Sequence, residues 1–247
     1  MCGRFANYFD ENTIIDAFGV ERVLGLIIPT WNLAPTQQLD LVRDVPASQD
    51  SSPDNSASGM KTDKGADTVR QAQTAKWGLV PSWAKDPKTG SRLFNARSET
   101  VTVKPSFRAA ARRRRALIPA SGYFEWQAAA DGTRVPYYLH PEPDGQVLAF
   151  AGLYEWWRAP DDQAESLLTA TIITRAASDQ LGHIHDRMPL VVPPDLFADW
   201  LSPDVTAPTE VDSMIRAMGD PVLVPRQVGK AVGLVKNNHP GLIQPVG

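Results

Sequence analysis

The stretch Leu117-Ile118-Pro119-Ala120-Ser121-Gly122-Tyr123-Phe124-Glu125-Trp126-Gln127 joins two short apolar runs and leads, after three alanines, to Asp131-Gly132. The Asp-Gly dipeptide favours a tight hairpin turn because both of its residues readily adopt positive φ. The sequence therefore predicts strands at Leu117–Pro119 and Gly122–Gln127, and a β-hairpin from the second strand into Val135–Leu139.

Further strands and a few short helices are predicted on both sides of this hairpin. Apolar runs predict strands at Leu39–Val42, Val147–Trp157, Leu167–Thr174 and Leu190–Val192, with one or two more near Val224 and Val228–Val235. Caps and prolines predict helices between Asp10 and Gly19, from Pro105 through Arg112–Arg115, and at Pro194–Leu201 and Thr209–Met218. This order predicts an α+β fold: a curled, mostly antiparallel, barrel-like β-sheet core with flanking short helices.

The chain is expected to be a single domain over residues 1–247, with one interruption. Residues 44–72 are rich in Ser, Asp, Ala, Gly and Lys and contain few large apolar side chains. Such a segment buries too little surface to offset its ordering entropy, so we expect a flexible surface insertion. The chain as a whole has ordinary globular composition, with 43% hydrophobic and 21% charged residues.

Charge and cysteine content limit the environment and the partners. One cysteine permits no internal disulfide, which fits a reducing compartment. No apolar run approaches the roughly 20 residues that span a bilayer. We therefore expect a cytoplasmic monomer with no membrane partner. The net charge of -3 argues against broad coating of duplex DNA, but it is compatible with a local basic groove.

Cys2 is the first candidate functional residue. Removal of Met1 would leave an α-amine and a thiol on adjacent carbons, and the amine has an unperturbed pKa of roughly 7.7–8.0. This pair suits an aldehyde, since the amine forms a Schiff base that the thiol closes to a thiazolidine. The alternative is a buried structural cysteine, since free cysteine is often buried.

Candidate proton carriers lie in the aromatic and loop segments. Glu125 lies between Phe124 and Trp126, where desolvation would raise its pKa, although an outward-facing strand glutamate fits the same pattern. Glu155 has a similar setting. His185 suits acid–base work near pH 7, although a structural histidine is an alternative. Too few ligands of suitable spacing accompany His185 for a zinc site, so no metal and no cofactor are expected.

Arginines interleave with tryptophans along the chain, including the run Arg112–Arg115. Cations beside aromatic rings suit a single nucleic-acid strand, whose phosphates pair with charge and whose bases stack. The alternative is a solvated helix end for the run and core packing for the tryptophans.

Six fragments in order resemble one family. They are Met1–Phe5, the predicted loop Trp31–Thr36, Trp77–Trp83, Asn95–Thr100, Pro119–Trp126 and His185–Pro189. Together they are similar to the SOS-response-associated peptidase (SRAP) family, whose members process abasic sites in DNA. The resemblance covers nearly the whole chain.

The resemblance implies that mature Cys2 forms a thiazolidine with the ring-opened abasic-site aldehyde in single-stranded DNA, which protects the lesion during repair. It implies that the protein removes its own Met1 and is associated with the nucleoid when bound to DNA. Asn95 would hold the amine and the opened sugar, Glu125 would shuttle the proton of Schiff-base formation, and His185 would assist reversal. The implied DNA-binding residues are Arg4, Trp83, Arg97, Trp126, Thr174 and Arg187.

Two other function classes fit parts of the sequence. A Met-Cys-Gly start also occurs in N-terminal-cysteine amidohydrolases of the glutamine amidotransferase type, where the thiolate attacks an amide. Those enzymes usually need a second domain, for which 247 residues leave little room. The third class is a non-catalytic module that binds single strands.

Overall fold

The computed structural model describes residues 2–25, 29–47, 67–159, 166–177 and 181–246. The strands are β1 (Phe5–Asn7), β2 (Arg22–Leu24), β3 (Thr30–Leu33), β4 (Gln38–Pro46), β5 (Thr68–Trp77), β6 (Asn95–Arg97), β7 (Arg115–Ala120), β8 (Gly122–Ala128), β9 (Arg134–Pro141), β10 (Leu148–Trp157), β11 (Leu167–Ala176), β12 (Arg187–Pro189) and β13 (Leu223–Gln227). The α-helices are α1 (Glu11–Phe18), α2 (Arg108–Arg113), α3 (Phe197–Leu201) and α4 (Pro208–Ala217). None of the helices in these ranges is long and apolar enough to cross a bilayer.

Five strands form a closed ring. Antiparallel pairing runs in the order β5, β4, β7, β10 and β11, and a parallel pairing of β11 with β5 at Thr169 and Lys76 completes the circle. Strands β2, β6 and β12 add to this sheet at its edges. The predicted curled, mostly antiparallel α+β architecture is confirmed.

Both faces of the ring are buried, which explains the continuous apolar runs in its strands. Ile118, Phe150 and Ile172 belong to a cluster enclosed by the ring. Their strand neighbours face a second cluster that helices α1 to α4 cover, with Phe18 and Trp200 as the largest helical contributions. Period-two alternation thus separates an inner core from an outer, helix-covered core.

A second sheet covers one end of the ring and brings the N-terminus there. Its strands run in the order β13, β9, β8, β1 and β3. The Phe5 ring packs edge-on against Trp77, at 5.1 Å between centroids, and against Phe150, at 5.8 Å. Cys2 precedes β1 and lies in the same enclosed cluster. The residue at the start of the chain is therefore held at the end of the ring.

Local signals account for several predicted elements. Helix α1 begins after Asp10, whose side chain accepts a hydrogen bond from the Thr13 amide, and it ends at Gly19 with φ 64°. Strands β8 and β9 pair antiparallel through the turn at Asp131-Gly132, as predicted. Residues Pro194–Leu201 and Pro208–Ala217 are helical, close to the predicted bounds.

Other predictions were wrong. The predicted insertion at 44–72 is too wide, because Asp44 pairs with Arg70 and Pro46 with Thr68 across β4 and β5. Residues 48–66, where the rest of that prediction falls, lie outside the described ranges. The predicted loop at Trp31–Thr36 begins as a strand, since β1 supplies backbone partners for Thr30–Leu33.

The arginine run and two later segments also differ from the predictions. The helix at this run covers only Arg108–Arg113, and Arg115 begins β7, because the chain joins the ring there. The strand predicted at Leu190–Val192 lies at Arg187–Pro189, where β11 supplies partners, and only a single bridge forms at Val191. The last strand covers Leu223–Gln227, and residues Lys230–Gly233 form a 3₁₀ turn.

Candidate active site around Cys2

Cys2 is fully buried at the end of the ring. Burial raises the pKa of its thiol well above the usual range, and the negative charge of Glu125 acts in the same direction. The thiol is therefore protonated near pH 7. Since only the thiolate is strongly nucleophilic, Cys2 Sγ is a weak nucleophile in this state. Residue 1, on which the predicted processing depends, lies outside the described residues.

The side chain of Asn95 forms a hydrogen bond with the backbone of residue 2. Strand β6 runs parallel to β11, with Asn95 paired to Ile172, and this pairing directs the amide towards the N-terminus. Its Nδ2 donates to the carbonyl oxygen of Cys2 at 2.7 Å. Its Oδ1 is buried and accepts no hydrogen bond from the described residues. A buried acceptor without a donor is costly, so this atom is suited to a group that the resting chain does not present.

Glu125 is buried in strand β8, with only 4% of its surface exposed. Burial raises the pKa of its carboxyl to about 7. A carboxyl with this pKa exchanges its proton near neutrality, which suits a general acid or base. Glu155, which the sequence could not distinguish from it, is instead paired with Arg114 at 2.7 Å. The structure therefore separates the two candidate glutamates.

His185 faces Glu125. Its Nε2 lies 3.9 Å from Oε2 of Glu125, and both side chains line a small recess with Tyr123 and Leu139. Burial lowers the pKa of His185 from its ordinary value, although the Asp186 carboxylate opposes this effect. The ring is thus neutral near pH 7 and able to accept a proton.

Two groups lie within hydrogen-bonding distance of Nδ1 of His185, and they require different positions of the ring proton. The Arg187 amide donates to Nδ1 at 3.0 Å, which requires a lone pair there. Oδ1 of Asp186 lies 2.9 Å from the same nitrogen, which requires an N–H there, as in the Nδ1–H tautomer of the neutral ring or in the protonated ring. The Arg187 amide is a fixed backbone donor, whereas the Asp186 side chain is 86% exposed and can turn to water, so we take the Arg187 contact as the resting arrangement, which leaves the ring proton on Nε2 beside Glu125.

The three arginines predicted to bind phosphate differ in how far the protein already engages them. Arg97 is exposed, and its guanidinium makes no hydrogen bond or ion pair with the described residues. Within the described ranges, Arg4 donates to two neutral acceptors, the side-chain oxygen of Asn32 at 2.8 Å and the carbonyl of Val232 at 2.6 Å. Arg187 forms a two-point ion pair with Glu99, at 2.6 and 3.0 Å.

The remaining predicted DNA-binding residues vary in exposure. Trp83 is 63% exposed in the loop after β5. Trp126 is half-buried beneath the Arg4 guanidinium, which lies 5.8 Å from its ring centroid. Thr174 is 1% exposed, and its carbonyl oxygen accepts from Nη2 of Arg187 at 2.6 Å. Because Thr174 is buried, the structure supports its contact with Arg187 rather than a direct contact with DNA.

The run Arg112–Arg115 mainly serves the fold. Arg115 is buried and donates to backbone carbonyls of Ala111, Trp200 and Ser202, and burial lowers its pKa to about 10. Trp77 is likewise a core residue, with its indole N–H on the carbonyl of Phe94 at 2.8 Å. Core packing, the alternative for the tryptophans, is right for Trp77, whereas the buried Arg115 does not fit the solvated helix end that was the alternative for the run.

Sequence reasoning assigned no role to Glu99, although it lies inside the quoted segment Asn95–Thr100. The residue acquires a role only through Arg187, 88 positions away along the chain. Separately, no group of three or more His, Cys, Asp or Glu side chains is arranged for a metal within the described ranges.

Comparisons with known proteins support a single family. The profile of the family described as SOS response associated peptidase (SRAP) matches residues 1–235. The abasic site processing protein YoqW of Bacillus subtilis (strain 168) is 33% identical over 246 residues, which cover 99% of each chain. The abasic site processing protein YedK of Escherichia coli (strain K12) is 35% identical over 69% of this chain and 73% of its own.

The fold also matches solved structures. A crystal structure of a protein from Bacteroides thetaiotaomicron aligns with a TM-score of 0.75 at 19% identity, covering 99% of this chain and all of its own. A protein from Bordetella bronchiseptica gives a TM-score of 0.68 at 23% identity, over 92% of this chain and all of its own. The profile match over residues 1–235 and the relatives at 33% and 35% identity show that this chain belongs to the SRAP family.

Proposed function

We propose that this protein processes abasic sites in single-stranded DNA by forming a covalent adduct through residue 2. The observation that carries the proposal is the meeting of Asn95, Glu125 and His185 beside Cys2 in a chain of the SRAP family. Curated relatives aligned over almost the whole chain are named abasic site processing proteins.

The chemistry requires the α-amine of Cys2, which removal of Met1 would release. The amine adds to the aldehyde of the ring-opened sugar to give a carbinolamine, which loses water to give a Schiff base. Sγ then bonds to the imine carbon, and the thiol proton passes to the nitrogen. The product is a thiazolidine, and the sequence releases one water molecule in all.

Amine attack comes first in this proposal, because the buried thiol is protonated near neutral pH. The same property is unfavourable for an amidohydrolase, in which the thiolate must attack first. The unpaired Oδ1 of Asn95 is suited to accept a hydrogen bond from the new amine, while Nδ2 stays on the Cys2 carbonyl.

Glu125 and His185 divide the proton transfers. With a pKa of about 7, Glu125 is protonated in about half of the molecules at neutral pH and can protonate the hydroxyl that leaves as water. His185 is neutral and accepts a proton from the opened sugar, and it returns this proton when the adduct reverses. Single strands fit the flanking surface, since the exposed Trp83 offers a stacking ring and the exposed Arg97 offers a cation that has no acidic partner in the described part of the chain.

Intact mass and a denaturing gel test the proposal together. The purified protein should lack Met1 and, with an abasic single-stranded oligonucleotide, form an adduct lighter by one water than the sum of its parts. Cys2→Ala should form no such adduct. Equal adduct yield from Cys2→Ala, or binding that disappears on denaturation, would refute the covalent mechanism. Release of ammonia from glutamine would favour the amidohydrolase class instead.

A further inference from the structure

The ion pair between Glu99 and Arg187 occupies the part of the guanidinium that a phosphate would use. Nη1 donates to Oε1 of Glu99 at 2.6 Å, and Nη2 donates to Oε2 at 3.0 Å. Nη2 also donates to the carbonyl of Thr174 at 2.6 Å. Three of the five N–H groups are thus engaged, and the Nε–H is buried.

A phosphate that binds Arg187 must therefore displace a carboxylate. Arginine binds phosphate best through two parallel N–H groups, and Glu99 already holds the outer pair. The hydrogen bonds from Arg187 lower the pKa of Glu99, so this carboxylate is ionised at neutral pH. A phosphate brought close to the intact pair would also be repelled by that charge. Neither cost arises at Arg97, whose guanidinium has no acidic partner among the described residues.

The Glu99 carboxylate can move away from Arg187 into solvent and into a neighbouring groove. The Glu99 side chain is 51% exposed, whereas that of Arg187 is 11% exposed, so Glu99 is the mobile partner. Glu99 lines a groove of about 500 Å³ that also contains Arg175 and Arg216. The groove also contains Asp212 and Asp220, and Arg175 is paired with Asp220 at 3.5 Å, so Arg216 is the cation that a displaced carboxylate can approach. Because Glu99 faces solvent, water screens its side of the ion pair and can hydrate the carboxylate as an incoming anion replaces it.

We propose that Glu99 is a specificity-determining residue that competes with DNA phosphate for Arg187 and keeps binding to undamaged single strands weak. The inference rests on the proposed function. Non-covalent affinity for a strand comes largely from phosphate contacts, which damaged and undamaged strands share. Only an abasic strand adds a covalent bond. A penalty on the shared contact therefore frees the protein from undamaged DNA while the adduct still accumulates on lesions.

The test is the affinity of Glu99→Gln for an undamaged single-stranded oligonucleotide, measured by fluorescence anisotropy at several salt concentrations. Glutamine keeps the size and one acceptor but loses the charge. We expect roughly three- to tenfold tighter binding at low salt. The slope of log K against log salt should also steepen by about 0.7, the value for one phosphate on a single strand.

Two controls separate this competition from a general charge effect. Asp212→Asn removes a negative charge from the same groove without touching Arg187, and it should change affinity less than twofold. In an Arg187→Gln background, Glu99→Gln should also have less than a twofold effect. Unchanged or weaker binding by Glu99→Gln, or an equal gain in that background, would overturn the inference.

Crosslinking of the same variants distinguishes this inference from the proposed function. With excess undamaged strand present, Glu99→Gln should form its adduct on an abasic oligonucleotide more slowly than wild type. If neither protein forms an adduct, the proposed function fails, and the inference fails with it as a device for lesion selection. If both form adducts but undamaged strand slows them equally, only the role of Glu99 is refuted.

Should Glu99→Gln prove unstable in thermal unfolding, Glu99→Asp replaces it, with a shorter carboxylate and an intermediate gain in affinity expected.

Discussion

Glu125 and His185 face each other with Oε2 and Nε2 3.9 Å apart, a separation too long for a direct hydrogen bond. In the tautomer that accepts from the Arg187 amide at Nδ1, the Nε2–H of His185 faces the carboxylate. A substrate oxygen or a water molecule between the two groups could bond to both. The pair is therefore arranged to exchange protons with a third group, which is what successive steps on one aldehyde carbon require.

Glu125→Gln should change the pH dependence of adduct formation. The pKa of Glu125 is raised to about 7, so the protonated form that acts as an acid is lost as pH rises through 7. Wild type should therefore show a falling limb in this range, and the variant should lack it and react about 10²- to 10⁴-fold more slowly. Single-turnover rates from pH 5.5 to 8.5, read on denaturing gels, provide the measurement. A variant that keeps the falling limb would exclude Glu125 as its source.

His185→Gln should slow adduct reversal more than it affects DNA affinity. Glutamine retains polar atoms near the Arg187 amide and Glu125, but it cannot accept and return a proton near pH 7. We expect reversal to slow by at least about tenfold, within the general range for a lost acid or base. Release of the oligonucleotide from purified adduct, trapped with excess aldehyde, measures this rate. Loss of binding to undamaged DNA with normal reversal would assign His185 to docking.

Sequence patterns predicted the elements whose causes are local. The cap at Asp10, the positive φ at Gly19 and the Asp131-Gly132 turn each act within a few residues, and the corresponding helix and hairpin form as predicted. The strand at Arg187–Pro189 was misplaced because it depends on a partner in β11 rather than on its own pattern.

The same distinction applies to the candidate site. Cys2, Asn95, Glu125 and His185 were named through ordered motifs, and the structure brings them together. The partner of Arg187 was missed, because a motif gives residue types without their contacts. Glu125 and Glu155 have similar sequence neighbours, and only the Arg114 ion pair distinguishes them.

Asp40→Asn should flatten the pH dependence of stability. Asp40 is buried on β4, accepts a hydrogen bond from Nδ2 of Asn7 at 2.8 Å, and has its pKa raised to about 7 by burial. Because the unfolded pKa is about 3.9, the folded state binds more protons between these values. Its contribution to stability is therefore most favourable below pH 4 and falls as pH rises to 7.

Asparagine is neutral at every pH and keeps the acceptor for Asn7, so the variant should lose less stability between pH 5 and 8. About two units separate pH 5 from the folded pKa of about 7, so at 1.36 kcal/mol per unit the wild type should lose at most about 3 kcal/mol more than the variant between pH 5 and pH 8. Urea unfolding at both pH values gives this difference. Parallel pH dependence of the two proteins would show that Asp40 is ionised without cost in the fold.

Arg97→Gln should weaken DNA binding and reduce its salt dependence, whereas Arg112→Gln should do neither. Arg97 is exposed on β6, two residues after Asn95, and its guanidinium is not engaged by the described residues. Arg112 lies on α2, on the helix-covered side of the ring, and its Nε donates to the carbonyl of Thr206 at 3.1 Å. Loss of one phosphate contact should lower the slope of log K against log salt by about 0.7. Anisotropy titrations of both variants from low to moderate salt measure the slopes, and the formal net charge changes equally in the two. Equal slopes for both variants would mean that overall charge, rather than a cation beside Asn95, governs the affinity.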